Sequence, residues 1–174
     1  MVKVKVLILV VALMLGFCSF SEYAQAADAV KIAYIDVASV FDSYDKTKDE
    51  DAALGKKSET KQKERERVVE KIRNSKSELE LLGEKQREKK QAQIDEEIRK
   101  LQDFDREAKT ELRRERDTMV REILKEIDVV IKDYAKKNGY TIVLNSRILV
   151  YAEEGYDITR EIVNILNSRY RRKK

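Results

Sequence analysis

The sequence of 174 residues lacks proline, histidine and tryptophan, and it contains one cysteine and five glycines. Because proline and glycine are the residues that most often interrupt helices, their scarcity permits long helical segments. The absence of histidine removes the commonest general base, and no glycine-rich phosphate loop or His/Cys metal spacing occurs. We therefore predict a protein that is not an enzyme, with no catalytic residues, no cofactor and no metal.

Charge, in contrast, is abundant: 40% of the residues are charged. This composition is typical of long helices and coiled coils. The formal net charge is only +4, and the two signs are interspersed except in RYRRKK (169–174). Since so mild an excess gives little attraction for phosphate backbones, we expect no nucleic-acid partner.

The first 26 residues have the features of a secretory signal peptide. Lys3 and Lys5 precede VLILVVALMLGF (6–17), an apolar run too short for a stable membrane anchor. AQA (24–26) supplies the small residues of a cleavage site, so we predict export with cleavage near Ala26/Ala27. A retained anchor is the alternative. Cys18 follows Phe17 rather than a small residue, which disfavours lipidation.

The two ends of the remaining chain contain strand patterns. VKIAYIDV (30–37) predicts a strand, and Ser39 is a candidate cap for the helix that follows. YTIVL (140–144) and ILVY (148–151) predict a β-hairpin or two adjacent strands. Asp157 is placed to cap a last helix. The apolar face of that helix comprises Ile158, Ile162, Ile165 and Leu166.

The middle of the chain has the periodicity of helices. A thin apolar stripe predicts one helix over about 46–82, and a clearer stripe predicts a return helix over about 91–138. Gly83 and the polar residues after it predict the tip of a helical hairpin near 83–90. Gly139 is placed where a left-handed residue would end the return helix.

These elements predict an α+β fold with two parts. Residues 27–45 and 135–174 would form a small β-rich oligomerisation hub, and residues 46–134 a coiled-coil-like hairpin arm that projects from it. Three short strands and one helix make a marginal core for a single chain. Open sheet edges are also prone to pair with other strands, so we expect an obligate oligomer.

One stretch of the arm, KKSETKQKERER (56–67), contains no apolar residue. A helix that is polar all round depends on side-chain pairs or on packing at its two ends. Pairs within the helix, such as Glu59 with Lys63, contribute only about 0.2–0.5 kcal/mol each. We therefore expect an arm that is helical but not rigid.

The two ends of the chain resemble a known family. KIAYIDVASVF (31–41) and YTIVLNSRILVYAEEGYDITREIVNIL (140–166) are similar to the first strand and the C-terminal strand–strand–helix segment of the Skp/OmpH family of periplasmic outer-membrane-protein chaperones. The resemblance implies a periplasmic homotrimer whose three arms surround a cavity. It also implies that unfolded outer-membrane β-barrel proteins are the partners, held in that cavity without ATP before membrane insertion.

Three groups of residues are candidate sites. Carried over from the resemblance, the oligomer hub would contain Ile32, Tyr34, Ile35, Val37, Phe41, Ile142, Leu144, Ile148 and Val150. Candidate client contacts on the apolar face of the arm are Leu79, Leu82, Ile94, Ile98, Leu101 and Phe104. The basic tip residues are either a solubilising loop or a contact for anionic lipid, including lipopolysaccharide: Lys85, Arg87, Lys89 and Lys90.

Two other functions compete with the chaperone. A structural coiled-coil spacer or envelope tether would have the same arm without client capture, and it would behave as a rigid rod. A nucleic-acid-binding protein would show steeply salt-dependent binding to DNA, which export disfavours. Suppressed aggregation of an unfolded barrel protein distinguishes the chaperone from both.

Overall fold

The structure is a computed structural model that describes residues 30–173. The predicted signal peptide and its cleavage site lie outside these residues. The chain divides after Val30, and the second unit, Lys31–Lys174, contains the hub and the arm. Its main elements are β1 (Ile32–Ile35), α1 (Val37–Ser43), α2 (Asp45–Glu80), α3 (Glu84–Lys137), β2 (Ile142–Asn145) and α4 (Thr159–Lys173).

The sheet consists of two strands, β1 and β2, which pair in parallel. Ile32 lies opposite Ile142, and Tyr34 lies opposite Leu144. A parallel pair needs a long connection between its strands, and here that connection is α1 together with the whole helical hairpin. The arm is therefore an insertion between two paired strands of the hub.

The second strand predicted for the C-terminal region, ILVY (148–151), does not form within this chain. Ser146–Ile148 is a 3₁₀ turn, and residues 149–151 have no strand pairing. Asn145 begins the turn by accepting a hydrogen bond from the Arg147 backbone N–H at 3.1 Å. The segment is rich in β-branched and apolar residues, but no strand of the described chain pairs with it. Strand propensity alone therefore predicted a strand that does not form in the single chain. The hub is consequently poorer in β structure than predicted.

Asp36, rather than the predicted Ser39, caps α1. The Asp36 carboxylate accepts hydrogen bonds from the backbone N–H groups of Ala38 at 2.9 Å and Ser39 at 3.1 Å. The Ser39 hydroxyl donates to the same carboxylate at 2.8 Å. The cap thus satisfies two of the N–H groups that the first turn of a helix leaves unpaired, and it fixes the exit from β1.

Replacing Asp36 by Ala is expected to lower the free energy of unfolding by about 1 kcal/mol at pH 7. Hydrogen bonds from Ser39, and then from Ala38, hold the pKa of Asp36 below its ordinary value of 3.8, against the opposing effect of burial. A depressed folded-state pKa stabilises the protein above the unfolded pKa, and this stabilisation is lost as the pH falls through the folded value. Urea unfolding followed by circular dichroism should therefore show a deficit that shrinks in acid.

The control for this cap is Asp42→Ala, which removes the same charge from an exposed position of α1. It is expected to change the free energy of unfolding by less than about 0.5 kcal/mol. Equal deficits for the two variants, or a deficit of Asp36→Ala that does not depend on pH, would contradict the capping role.

The hydrophobic core of the hub joins β1, α1 and α4 to the C-terminal half of α3. Its buried residues are Ala33, Ile35, Val40, Tyr44, Ile123, Ile127, Val130, Ile158, Ile162 and Leu166. Three of them, Ile123, Ile127 and Val130, belong to the segment that the sequence assigned to the arm. The return helix is therefore anchored in the hub by its own apolar side chains.

The arm is formed by α2, of 36 residues, and α3, of 54 residues. At about 1.5 Å per residue α3 is about 80 Å long, so most of it extends beyond the hub core. The chain reverses at Leu81–Gly83, and residues 84–90 of the predicted tip already belong to α3. Gly139 ends α3 with a φ of 69°, as predicted. Among residues 30–173, no helix has the length and apolarity needed to cross a membrane.

Candidate functional site

The outer face of the sheet is apolar and uncovered. Ile32 and Ile142 are paired neighbours on this face, and they are 41% and 43% exposed. Tyr34 and Leu144 follow on the same face because side chains alternate along a strand. The opposite face carries Ala33 and Ile35, which are buried against the hub core.

More apolar side chains are exposed in the segment after β2. Val150 is fully exposed, and Ile148 and Tyr151 are largely exposed. Large apolar groups that are exposed on a small domain are typical of an interaction surface. We call this set the outer hub surface: Ile32, Tyr34, Ile142, Leu144, Ile148 and Val150.

Three of the predicted hub residues lie in the interior of the hub. Ile35 is buried in the hub core, and Val37 and Phe41 are partly buried against it. They stabilise the single chain, whereas the outer hub surface remains open in it. The structure therefore divides the predicted hub residues into a core group and a surface group.

The arm joins the hub at a short break between α1 and α2. The Tyr44 hydroxyl donates a hydrogen bond to Glu126 Oε2 of α3 at 3.0 Å, and Lys46 Nζ lies 2.6 Å from Glu126 Oε1. Burial, followed by this hydrogen bond and the Glu126 charge, raises the pKa of Tyr44 well above its usual range. Asn167 of α4 bridges the break, since its Oδ1 accepts from the Asp45 backbone N–H at 2.8 Å. These contacts set the direction in which the arm leaves the hub.

The predicted client residues are distributed along the distal part of the arm. Ile94 is only 1% exposed, so it packs between the two helices and is not available to a client in the closed arm. The other five side chains are partly buried and lie along the seam: Leu79, Leu82, Ile98, Leu101 and Phe104. The structure thus places these five residues on one hairpin, where each side chain is only partly accessible to a client.

A second apolar region lies at the root of the arm. A groove of about 470 Å³ between α2 and α3 is lined by Leu54, Met119 and Ile123, with Lys57 and Glu115 among the charged residues at its edges. Its apolar residues belong to the stripes that predicted the two helices, but the sequence did not identify them as a possible binding surface. Residues 30–173 contain no group of three or more His, Cys, Asp or Glu residues arranged to hold a metal ion.

The four basic residues of the predicted tip have different roles. Arg87 donates hydrogen bonds to the backbone carbonyls of Leu79 at 3.2 Å and Glu80 at 3.4 Å, so it caps the end of α2. Lys90 forms an ion pair with Glu78. Lys85 and Lys89 are exposed and, among the described residues, form no ion pair. Two of the four cations therefore remain available to a ligand.

The chain matches a known protein family over most of its length. The model of a family described as outer membrane protein (OmpH-like) matches residues 31–166, which include β1, the whole arm and most of α4. This chain belongs to the OmpH-like family. The match confirms the resemblance that its two ends indicated.

A solved OmpH-like structure has the same fold as this chain. It is a protein of Caulobacter crescentus CB15, assigned there as an outer membrane chaperone, with a TM-score of 0.76 and 15% sequence identity. The likeness covers 80% of this chain and 85% of that one. At this identity it establishes the fold alone. No curated protein sequence matches the chain.

In this OmpH-like chain, one exposed residue of the arm escaped the sequence analysis. Leu81 is 88% exposed and lies in the turn between α2 and α3. The predicted stripe included Leu79 and Leu82 but not Leu81, and since α2 ends at Glu80, Leu81 lies in the turn outside the seam. The first helix of the arm was predicted to continue to about residue 82, whereas it ends at Glu80, so the hairpin turn begins two residues earlier than predicted.

Proposed function

We propose that this protein is a periplasmic holdase chaperone that acts without ATP. It binds unfolded outer-membrane β-barrel proteins between its helical arms and prevents their aggregation before membrane insertion. The observation that carries the proposal is the OmpH-like match, which extends over both the hub and the arm. Export by a cleaved signal peptide and the absence of catalytic activity belong to the same proposal.

We further propose that the chain works as a homotrimer. The outer hub surface supports this, because it has four exposed and two half-buried apolar residues, and the sheet beside it has an open edge. Sister chains are the natural cover, since each one brings the same surface and the same open strand. Residues 148–151, which have no strand pairing in the single chain, would then pair with a strand of a neighbouring chain.

A chaperone that releases its client without ATP requires weak contacts with that client, and the arm has residues suited to such contacts. Its seam contains partly exposed apolar residues, such as Leu101 and Phe104, separated by charged ones. Each contact with a client is weak, but several arms around one cavity raise the effective concentration of binding sites. For contact with anionic lipid or lipopolysaccharide we propose Lys85 and Lys89, since Arg87 and Lys90 are engaged within the hairpin.

The function is tested by light scattering after a urea-unfolded barrel protein is diluted into buffer with the processed chain. The chaperone is expected to suppress aggregation at a few-fold molar excess. The double variant Leu101→Ser/Phe104→Ser should suppress it less, whereas Gln102→Ser, on the exposed side of the same helix, should act like the unmodified protein. Full aggregation in the presence of assembled protein would contradict the proposal and favour a structural spacer.

A further inference from the structure

The packing of the arm is uneven along its length. In α2 the buried residues are Thr47 and Ile72, and in α3 the first two from the tip are Ile94 and Ile123. Between these levels neither helix has a buried residue, over more than twenty positions in each. The two ends of the hairpin are therefore held by fully buried residues, whereas the apolar residues of its middle are only partly buried.

Charged side chains bridge the two helices in this middle region. Lys57 of α2 forms ion pairs with Glu111, at 2.6 Å, and with Glu115 of α3. Lys61 lies 3.3 Å from the other oxygen of Glu111. Arg65 Nε donates to both carboxylate oxygens of Asp105, at 3.0 and 3.2 Å. Three cations of the polar stretch 56–67 thus face three acids on the partner helix.

One of these cations, Lys61, also lies over an apolar group of the seam. The Lys61 ammonium lies 5.6 Å from the centre of the Phe104 ring, a distance at which a cation interacts with the aromatic face. The aliphatic parts of lysine and arginine side chains cover apolar surface while their charges stay in water. Phe104 is only partly buried, and no buried residue lies at its level of the arm.

We propose that the middle of the arm is closed by an electrostatic clasp, formed by Lys57, Lys61 and Arg65 with Asp105, Glu111 and Glu115. The clasp opens as ionic strength rises and uncovers Phe104 and its apolar neighbours, while the two packed ends of the hairpin stay closed. It is a conformational device of the single arm and does not depend on the proposed chaperone activity.

The energetics support a clasp that opens easily. An exposed ion pair contributes little to stability, and salt reduces this contribution further. The hydrogen bonds with Glu111, then with Glu115, raise the pKa of Lys57, and those with Lys57, then with Lys61, lower the pKa of Glu111.

Amide hydrogen exchange measured by mass spectrometry tests the clasp in the full processed protein without any client. When the helices separate, each polar segment is a marginal helix and its amides exchange faster. Raising sodium chloride from about 0.02 to about 0.5 M, which shortens the screening length severalfold, is expected to speed exchange of residues 56–67 and 100–115 on the order of fivefold. Exchange of the segment around Ile123 and Ile127 should not change.

Two matched variants distinguish the clasp from a general effect of charge. Glu111→Gln removes the acceptor shared by Lys57 and Lys61. It should speed amide exchange of residues 56–67 and 100–115 at low salt, and it should reduce the effect of added salt on that exchange. Glu59→Gln removes an equal charge that pairs with Lys63 on its own helix, and it should do neither. Equal behaviour of the two variants, or an exchange rate of the middle that is independent of salt, would overturn the proposal.

Discussion

Replacing Val150 by Asp is expected to dissociate the proposed homotrimer into single chains. Val150 is fully exposed and belongs to no strand of the single chain, so the substitution leaves the hub core unchanged. In an assembly that covers the outer hub surface, the new carboxylate would be buried without a partner, at a cost of several kcal/mol in each chain. Because every 1.4 kcal/mol weakens association about tenfold, sedimentation at micromolar concentration should report the mass of one chain.

The matched control for this variant is Leu81→Asp. It places the same charge on an apolar side chain that is 88% exposed, but at the tip of the arm. It should leave the sedimenting mass of the assembly unchanged. A Val150→Asp variant that keeps its native circular dichroism and still assembles would show that the outer hub surface is not the interface.

The second large effect is expected from Ile162→Ala. Ile162 is completely buried in the hub core, where α4 packs against β1, α1 and α3. Truncating a buried isoleucine to alanine costs about 2–5 kcal/mol, because transfer free energy is lost and a cavity is left. A domain of ordinary stability has only about 5–15 kcal/mol in total. The midpoint of urea unfolding should therefore fall sharply.

Ile165→Ala supplies the comparison within the same helix. Ile165 is only partly buried against the core, so its truncation should cost clearly less than that of Ile162. Unfolding should be followed at one fixed protein concentration, since dissociation contributes to the stability of an oligomer. If the two variants lost equal stability, the placement of the α4 face in the core would be incorrect.

Local signals in the sequence were sufficient for the elements with strong periodicity. The alternation in 30–37 predicted β1, and the apolar stripes predicted both long helices of the arm. Gly139 and Asp157 were correctly recognised, because a left-handed C-terminal residue and a helix cap depend on a few neighbouring atoms. The resemblance to the Skp/OmpH family could also be recognised from the sequence, because the residues that carry it lie in short segments at the two ends.

Features that depend on distant partners could not be predicted. The pairing of Ile32 with Ile142 joins residues on the two sides of the whole arm, and no local pattern specifies it. Residues 148–151 have strand propensity but lack a partner within the chain, so propensity alone was insufficient. The clasp was missed for a similar reason, since only the register of the hairpin places Lys57 opposite Glu111.

The candidate site residues show the same difference between local signals and distant partners. The stripe identified Leu101 and Phe104, because one face of a helix can be derived from spacing. Whether a residue of that face is enclosed, as Ile94 is, or exposed, as Leu81 is, depends on how the second helix is placed against it. Arg87 illustrates the limit most clearly, since a charge assigned to a ligand contact is engaged by the carbonyls of α2.

The most direct test of the account is light scattering coupled to size-exclusion chromatography, applied to the processed protein mixed with a urea-unfolded outer-membrane barrel protein. The account predicts one soluble species whose mass equals three copies of this chain and one client. A single-chain mass for the protein, with the client lost as aggregate, would contradict it.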